Sequence, residues 1–458
     1  MVNKDSNLKE LNREQLLELA TLLLARVATL EKQVAQLKQR GEKTVKKTPE
    51  NSSIPPSQGQ KANVAIQAKG QRGGRRGHRG TSRGRVAADE IIACRVEQCQ
   101  RCGKDLRECQ QWVVGRHQVI DLPPLKPIVR EAQRYRVTCP QCQCQQTAAY
   151  TAGYEKGRRF GPHLEALVLY LHYAHPLSYE RVQDIVAAVA GLEISRGALV
   201  NGVKRAQQQL QRTAETIHQQ VKQAAVVGSD ETTARVDGVK YWQWVFQTPQ
   251  LAYHVMRPSR SAQVLQDVMG AAQPQVWVSD VLSSQMCHPA HNYQICLAHQ
   301  VRDLQYAIDL HQCQWAQQLQ TLFYEAMRFH RQRDPQVVDD DERQRVAYET
   351  RLDELLALTP AHADSENLRG RFVKHRPALL FFLQRTDVPP TNNASEQALR
   401  NSVIYRKVTG GFRSLWGAEL YANLISILET ARRQGRSIFA ILSAILNGLP
   451  VFDTPHSL

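Results

Sequence analysis

The order of the strands and helices predicted after Val221 constrains the fold more than any other feature of this sequence. Up to Val221 apolar residues recur at helical spacing, and beyond it they form the short apolar or alternating runs typical of strands. The predicted elements are three strands, an amphipathic helix and a fourth strand: residues 225–230, 239–246, 251–256, 261–269 and 275–280. This order predicts a mixed sheet packed against helices, and therefore an α+β fold class.

Acids end the first and the fourth of these strands, at Asp230 and Asp280. If the two strands are neighbours, the carboxylates approach each other and repel unless a divalent cation lies between them. Oxygen ligands at an open face favour Mg²⁺ or Mn²⁺, and a third acid on a crossing helix would complete a two-metal site for phosphodiester displacement. The candidates for the third acid are Glu325, Glu349, Glu366, Glu396 and Glu419. The alternative is that each aspartate only closes a turn.

The net charge of +16, from 59 Lys and Arg against 43 Asp and Glu, indicates a polyanionic partner, nucleic acid before membrane. The surplus is concentrated between Lys43 and Ala88, where eleven Lys and Arg accompany a single Glu. Because this stretch is rich in Pro and Gly and poor in large apolar side chains, residues 43–90 are predicted to form a disordered basic linker. Its arginines suit phosphates and minor grooves: Arg72, Arg75, Arg76 and Arg79. A tether without DNA contacts is the alternative.

The rest of the composition is that of a folded protein. A hydrophobic fraction of 42% and a charged fraction of 22% exclude fibrous and wholly disordered classes, and 458 residues suggest several domains. No apolar run approaches the ~18 residues of a membrane span. The amino terminus has a charged helical pattern rather than a signal peptide, so we expect a cytoplasmic protein.

Residues 1–42 carry a leucine repeat. Four leucines fall seven residues apart and take the d positions of a heptad, with small or β-branched residues at the a positions. The d residues are Leu16, Leu23, Leu30 and Leu37, and the a residues are Ala20, Val27 and Val34. This combination favours a parallel two-stranded coiled coil and hence self-association. A helix packed on its own chain is the alternative.

Two C-x-x-C pairs lie within residues 91–155. Cys99 with Cys102, and Cys139 with Cys142, form knuckles that allow four thiolates to share one tetrahedral Zn²⁺. Strand-like runs at 112–114 and 129–137 complete the outline of a zinc ribbon, whose closed site would be structural. Four reduced structural cysteines are the alternative, and Cys144 could take the place of Cys142.

Residues 160–222 predict a helix-turn-helix. Ser178 and Ser195 are suitable N-caps for a second and a third short helix, and Gly191 suits the turn between them. The third helix would present basic and amide side chains to DNA: Arg196, Asn201, Lys204 and Arg205. Three helices that pack together without touching DNA are the alternative.

Four motifs together resemble the insertion-sequence 66 family of bacterial DDE transposases. They are the Ser229–Thr232 run Ser-Asp-Glu-Thr, the Cys296-x-x-His299-x-x-Arg302 motif, the Asn-Asn-x-x-Glu run that ends at Glu396, and the Gly-Gly-Phe-Arg run that ends at Arg413. The leucine repeat, the basic linker, the paired cysteines and the helical region follow the order of that family as well. Asp280 departs from the pattern, because Val-Leu-Ser-Ser follows it where many relatives have Gly and Tyr.

The resemblance implies an RNase H-like catalytic core formed by residues 223–309 and 388–458, with a helical insertion at 310–387. Asp230, Asp280 and Glu396 would bind Mg²⁺ (or Mn²⁺), and a separate Zn²⁺ would stabilise the ribbon. The implied activity is cleavage and strand transfer of double-stranded DNA at element ends and target, in a nucleoid-associated homodimer or higher oligomer, with accessory proteins from the same element. The Cys296-x-x-His299 pair is expected to position the core or backbone rather than to bind zinc.

Basic residues surround Glu396 in the sequence, as a phosphate-handling site would require: Arg400, Arg406, Lys407 and Arg413. Glu231 should point to the opposite face of its strand from Asp230. Two other functions remain open: a DNA-binding regulator without catalysis, and an RNase H-like nuclease that never joins strands.

Overall fold

The computed structural model describes residues 13, 20, 21, 23–31, 45, 47–52, 84–151, 153, 154, 157–333 and 338–452, with only the backbone for 338–340. The chain divides into two units. The larger unit contains the described residues within 1–60, 132–184 and 194–452, and the smaller one contains residues 84–131 and 185–193.

The larger unit includes a short antiparallel ribbon of β1 (Arg136–Thr138) and β2 (Gln145–Thr147). The strand predicted at 129–137 is therefore wrong except for its last two residues, and residues 112–114 of the smaller unit are not a strand. Trp112 is 78% exposed and Val114 91% exposed. An apolar run indicates a strand only where a second strand supplies its hydrogen bonds, and here none does.

Three helices follow, and the second and third begin at the N-caps that the sequence predicts. They are α1 (Pro162–Leu169, extended by a π-helical turn at Tyr170–Ala174), α2 (Tyr179–Ala190) and α3 (Arg196–Lys222). Ser178 Oγ accepts from Arg181 N at 3.2 Å, and Ser195 Oγ accepts from Ala198 N at 3.3 Å. Gly191 has a φ of +62°.

The sequence predicts a short third helix, but α3 is 27 residues long. Its apolar stripe continues through Leu210, Ile217 and Val221, which are fully buried in the main core. The C-terminal half of α3 therefore belongs to the body of the larger unit, against α10 (Leu415–Arg433).

A five-stranded mixed sheet lies at the centre, in the order β5-β4-β3-β6-β7. The strands are β3 (Val226–Val236), β4 (Val239–Gln247), β5 (Ala252–Arg257), β6 (Val276–Ser279) and β7 (Asn292–Ile295), with α4 (Ala262–Met269) between β5 and β6. Strands β3, β4 and β5 are antiparallel neighbours, whereas β3, β6 and β7 run parallel. The two acid-bearing strands, β3 and β6, are neighbours, which meets the condition for their aspartates to approach each other.

The remaining helices surround the sheet. They are α5 (Leu297–His311), α6 (Gln314–Gln332), α7 (Val338–Ala357), α8 (Ala363–Lys374), α9 (Asn393–Thr409), α10 and α11 (Ile438–Leu446). One core buries Trp244, Phe246 and Tyr421 between the sheet and α10. A second core, around Phe323 and Phe372, joins β6 and β7 to helices α5–α8, so the stretch predicted to be a helical insertion is helical and has its own apolar contacts.

The amino-terminal region is described only in part. Residues 23–31 are helical, and Leu23, Val27 and Leu30 are about half exposed on them, while Leu16, Val34 and Leu37 lie outside the described residues. The coiled coil therefore stays a prediction. Arg72, Arg75, Arg76 and Arg79 also lie outside the described residues.

The sequence predicts disorder along the whole basic linker, but a part of it is folded. Asn51 is 4% exposed and Ser52 8% exposed, because both are covered in the larger unit. Their small polar side chains carry no apolar signal, which is why the composition of the stretch did not reveal a folded contact. Among the helices described, none is long and apolar enough to cross a membrane.

Gly411→Ala should destabilise the larger unit by about 2 kcal/mol. Gly411 has a φ of +98°, and an added Cβ would lie 3.1 Å from the carbonyl oxygen of Arg235 at the end of β3. Urea unfolding measures the change. Gly197→Ala is the control, because Gly197 has ordinary helical geometry in α3 and open space around it. That variant should gain up to about 1 kcal/mol. Equal stability of the two variants would contradict the strain at Gly411.

Candidate active site

Three acids converge on one side of the sheet. Asp230 lies within β3, Asp280 directly follows β6, and Glu396 lies in the first turn of α9, which packs on β3 and β4. Burial raises the pKa of Asp230 well above its usual range, and the negative charges of Glu231, Asp280 and Glu396 raise it further. The structure thus brings together the three acids that the family resemblance groups in one site.

Asn392 fastens the glutamate helix to the strand that carries Asp230. Its side-chain amide donates to the carbonyl of Ser229 at 2.7 Å, and its Oδ1 accepts from Ser395 Oγ at 2.6 Å. An added Cβ on Gly228 would lie 3.1 Å from that Oδ1 and would overlap Gln247 Nε2, so a larger residue there would displace these side chains. Asn392 is the N-cap residue of α9, but its side chain makes no hydrogen bond to the helix backbone and bonds to the strand instead.

Cys296, at the start of α5, contacts the same junction. Its buried Sγ accepts from the backbone N–H of Asn392 at 3.1 Å, and Leu297 N donates to the carbonyl of Pro390 at 3.0 Å. Burial raises the pKa of the Cys296 thiol to about 11. The predicted backbone-positioning role of the C-x-x-H motif is confirmed for its cysteine.

His299 and Arg302 face Glu396 from α5. His299 Nε2 lies 3.7 Å and Arg302 Nη2 3.8 Å from Glu396 Oε1, which is close enough for charge interaction but too long for direct hydrogen bonds. Glu396 Oε1 is buried without a hydrogen-bond partner. Burial lowers the pKa of His299, and the charge of Arg302 lowers it further, so the imidazole is favoured in its neutral form. Arg302 ends the Cys296-x-x-His299-x-x-Arg302 motif, and the sequence pattern alone did not predict its position beside Glu396.

Cys296, His299 and Glu396 each place a ligand atom within 4.8 Å of the other two. A zinc site does not follow from this proximity. The positively charged Arg302 lies beside the group, and Cys296 Sγ already accepts a hydrogen bond from the backbone N–H of Asn392.

Asp280 also closes a turn, which is the alternative role that the sequence allows for it. Its Oδ1 accepts from Leu282 N at 3.0 Å. This bond orients the carboxylate and leaves Oδ2 as a further acceptor.

The carboxylate of Glu231 makes its hydrogen bonds to residues other than the three acids. Its Oε1 accepts from Arg260 Nε at 2.6 Å, and its Oε2 accepts from Gln285 Nε2 at 2.9 Å. Gln285 lies in the segment after Asp280 and accepts from Trp277 Nε1 at 3.2 Å. Glu231 therefore ties β3 to the segment that carries the second aspartate.

The other candidate acids lie in ion pairs or at the surface. Glu325 pairs with Arg351 at 2.6 Å, Glu349 with Arg345 at 2.8 Å and Glu366 with Arg369 at 2.6 Å, while Glu419 is exposed.

Arg406 is the member of the basic group on and just after α9 whose side chain is hydrogen-bonded. It donates to Thr232 Oγ1 at 3.2 Å and to Gln243 Oε1 at 3.3 Å. Thr232 follows Asp230 by two residues, so both side chains leave the same face of β3. The rest of the group, Arg400, Lys407 and Arg413, is exposed.

A family model described as the transposase IS66 family matches residues 157–420, more than half of the chain. The chain belongs to the IS66 transposase family. The match spans all three acids. A 97-residue segment is also 30% identical to y4jO, an uncharacterized protein of Sinorhizobium fredii. That segment is 21% of this chain and 30% of the relative, so the chain covers under a third of the relative's length.

The two cysteine knuckles of this IS66-family chain share one hydrogen-bond pattern. Cys99 N donates to Lys104 O, and Cys139 N donates to Cys144 O, both at 2.9 Å. The backbone N–H of Cys102 lowers the pKa of the Cys99 thiol, and that of Cys142 lowers the pKa of Cys139. Cys142 thus occupies the place of Cys102, and Cys144 the place of Lys104. The pairs belong to different units, so a shared site stays a prediction.

The raised pKa of Asp230 gives a pH-dependent prediction. Its contribution to stability is complete below the unfolded-state pKa of about 3.9 and is lost as the pH rises through the folded-state value. In EDTA at pH 7, Asp230→Asn should therefore raise the melting temperature by several degrees, with the difference closing near pH 4. Asp184→Asn, at an exposed site on α2, is the control. A gain that does not depend on pH would contradict the assignment.

Proposed function

We propose that this chain is a DNA transposase that uses divalent cations to cleave the ends of an insertion sequence and to join them to target DNA. The observation that carries the proposal is the convergence of Asp230, Asp280 and Glu396 from β3, the end of β6 and the first turn of α9. Membership of the IS66 transposase family and the mixed strand order support an RNase H-like catalytic core.

The residues present fit Mg²⁺ or Mn²⁺. All three donors are carboxylates, which hard divalent cations prefer. The buried, unpartnered Oε1 of Glu396 and the raised pKa of Asp230 are what a cluster of acids shows when no cation balances its charge. When bound, such ions supply charge neutralisation and an activated oxygen nucleophile.

The chain's own residues hold and orient this site. The hydrogen bond of Asn392 to Ser229 holds the helix of Glu396 next to the strand of Asp230. Arg302 offsets part of the negative charge of Glu396. Arg406 is held by Thr232 and Gln243, and Thr232 lies two residues along β3 from Asp230, so Arg406 can pair with the phosphate of a DNA bound along this face. The exposed side chains of Arg400, Lys407 and Arg413 extend the positive surface along the backbone of the DNA.

The amino-terminal parts would hold the DNA. We assign phosphate contacts to the linker arginines, Arg72, Arg75, Arg76 and Arg79, and groove contacts to Arg196 and Lys204 of the helix-turn-helix. Arg196 is exposed, and the Lys204 ammonium lies 5.7 Å from the Trp416 ring. Arg205 is paired with the buried Glu165 at 2.6 Å, so it can reach DNA only by giving up that ion pair.

The proposal further includes a homodimer or higher oligomer formed through the leucine repeat, accessory proteins from the same element, and a place in the bacterial nucleoid. It also includes one structural Zn²⁺ held by Cys99, Cys102, Cys139 and Cys142. The shared backbone geometry of the two knuckles supports this ligand set.

The acids give the decisive test. Asp230→Asn, Asp280→Asn and Glu396→Gln should each lower cleavage of an end-containing DNA by about 1,000-fold or more, which is roughly 4 kcal/mol, with DNA affinity kept within about two-fold. Glu419→Gln is the matched control, because Glu419 is an exposed glutamate of α10. Normal cleavage by any one acid variant would remove that residue from the site.

A second pair of outcomes separates the other functions. A regulator without catalysis would bind DNA without taking up Mg²⁺ or Mn²⁺ at the acids, which calorimetry measures. A nuclease without strand transfer would cleave DNA but yield no joined product from pre-cut ends.

The zinc ligands can be tested by metal analysis. Cys102→Ser and Cys142→Ser should each abolish the bound zinc, whereas Cys144→Ser should retain it, because Cys144 lies at the position of Lys104 in the other knuckle. Zinc retained in Cys142→Ser and lost in Cys144→Ser would reverse the assignment.

A further inference from the structure

A group of positively charged side chains lies at the β3–β4 hairpin end of the sheet, on the face opposite to Asp230. We infer that this group, the back-face patch, binds the phosphate backbone of a second DNA duplex, separate from the duplex held at the acids. The role of that duplex in strand transfer rests on the proposed function, whereas the binding surface itself does not. The patch consists of Arg235, Lys240, Trp242, Arg257 and Arg260.

The register of the strands places these side chains on one face. Side chains alternate between the two faces of β3, so Arg235 leaves the face opposite to Asp230. Arg235 pairs directly with Lys240 of β4, and Trp242 of β4 pairs directly with Arg257 of β5. Directly paired residues of antiparallel strands share a face. Three adjacent strands therefore present cations side by side.

The positive charge of the patch is not balanced within the protein. Arg235 and Lys240 are both exposed, and like charges directly opposite each other on a sheet are destabilising. Among the described residues, neither of them nor Arg257 lies in an ion pair with an acid. The hairpin turn contributes one exposed acid, Asp237, which leaves a positive surplus. A surplus of this kind attracts polyanions.

Trp242 holds two of the cations in place. The Lys240 ammonium lies 4.8 Å and the Arg260 guanidinium 4.9 Å from the centre of the Trp242 ring, both within the range of cation–π interactions. Arg260 also donates to the buried Glu231 at 2.6 Å. These contacts restrict long side chains before a ligand arrives, which lowers the entropy cost of binding. The contact with the ring leaves the charge of Lys240 available to an anion.

The dimensions of the patch suit a DNA backbone. Neighbouring strands lie about 4.8 Å apart, so the patch extends about 10 Å from β3 to β5. Over that length of the helix axis, one strand of B-DNA carries about three phosphates. Because contacts to phosphates carry no sequence information, we expect the patch to bind DNA of any sequence.

The acids lie on the other face of the same strands. Asp230 pairs with Val245, and Thr232, which accepts from Arg406, pairs with Gln243. Helix α9 packs on this face against Val245. A straight duplex bound over the acids therefore lies on the other side of the sheet from the back-face patch. Strand transfer joins two DNA molecules, and a surface that ignores sequence suits the target molecule.

Chemical protection tests the surface. In the full chain carrying one end-containing duplex, an excess of random-sequence duplex should slow acetylation of Lys240 by an amine-reactive reagent at least about five-fold. The end-containing duplex alone should leave that rate nearly unchanged. Lys374, which is exposed on α8, is the control that neither DNA should protect. Mass spectrometry measures both rates. Protection of Lys240 by the single end-containing duplex would overturn the second duplex, and no protection by either DNA would overturn the surface.

Strand transfer then tests the role of that duplex. Arg235→Gln with Lys240→Gln should raise the target-DNA concentration for half-maximal joining about ten-fold and reduce its salt slope by about two, because two phosphate contacts are lost. Cleavage of end-containing DNA should stay within about two-fold of wild type. Arg343→Gln with Lys374→Gln removes the same charge from exposed positions of α7 and α8 and is the matched control. The melting temperature should not fall, because the first pair of changes removes a like-charge contact.

The remaining outcomes are distinct. An equal loss of cleavage and joining would place the patch on the end-containing duplex and overturn the proposal. An unchanged target requirement, in a protein whose Lys240 is protected by the second duplex, would overturn the role in strand transfer. A wild-type protein that neither cleaves nor joins DNA would instead overturn the proposed function, and the acetylation result would still decide the surface.

Discussion

The hydrogen bond from the Asn392 amide to the carbonyl of Ser229 is the contact on which the candidate site depends. It joins the first turn of α9 to the residue before Asp230, across a junction where Gly228 leaves no room for a side chain. A buried bond of this kind contributes about 1 kcal/mol when made, and leaving its carbonyl unpaired costs more. Because Cys296 holds the backbone of the same residue from α5, three elements meet at Asn392. A small displacement there would move Glu396 relative to both aspartates.

The burial and mutual repulsion of the carboxylates lower the stability of the folded state. Asp230 is desolvated and lies within the field of three other carboxylates, so the folded state without cations carries an unfavourable charge. Arg302 relieves part of it at a distance, and Arg260 neutralises Glu231 on the other face. Such an accumulation of like charge is typical of functional sites, and a bound divalent cation would balance it.

Much of the fold could be predicted because its signals are local. The caps at Ser178 and Ser195, the turn at Gly191 and the acid that directly follows β6 each depend on a few neighbouring residues. The predicted end of the first strand at Asp230 is wrong, because β3 continues to Val236 through its pairing with β4. The adjacency of β3 and β6 was only a condition of the predicted site, because strand order alone allows other pairings. The third acid could not be chosen by pattern, since five glutamates were suitable and only the family resemblance selected Glu396. The roles of Asn392 and Arg302, the length of α3 and the docking of Asn51 depend on contacts between distant segments, which periodicity does not encode.

The order of the acids along the chain has a consequence for biosynthesis. Asp230 and Asp280 lie on neighbouring strands, but Glu396 follows only after helices α5–α8. During translation the sheet and that helical layer can form first, since domains and subdomains fold as they emerge from the ribosome. The last acid joins them only when α9 docks through Asn392. The growing polypeptide therefore holds an incomplete carboxylate set until α9 has been made and has docked.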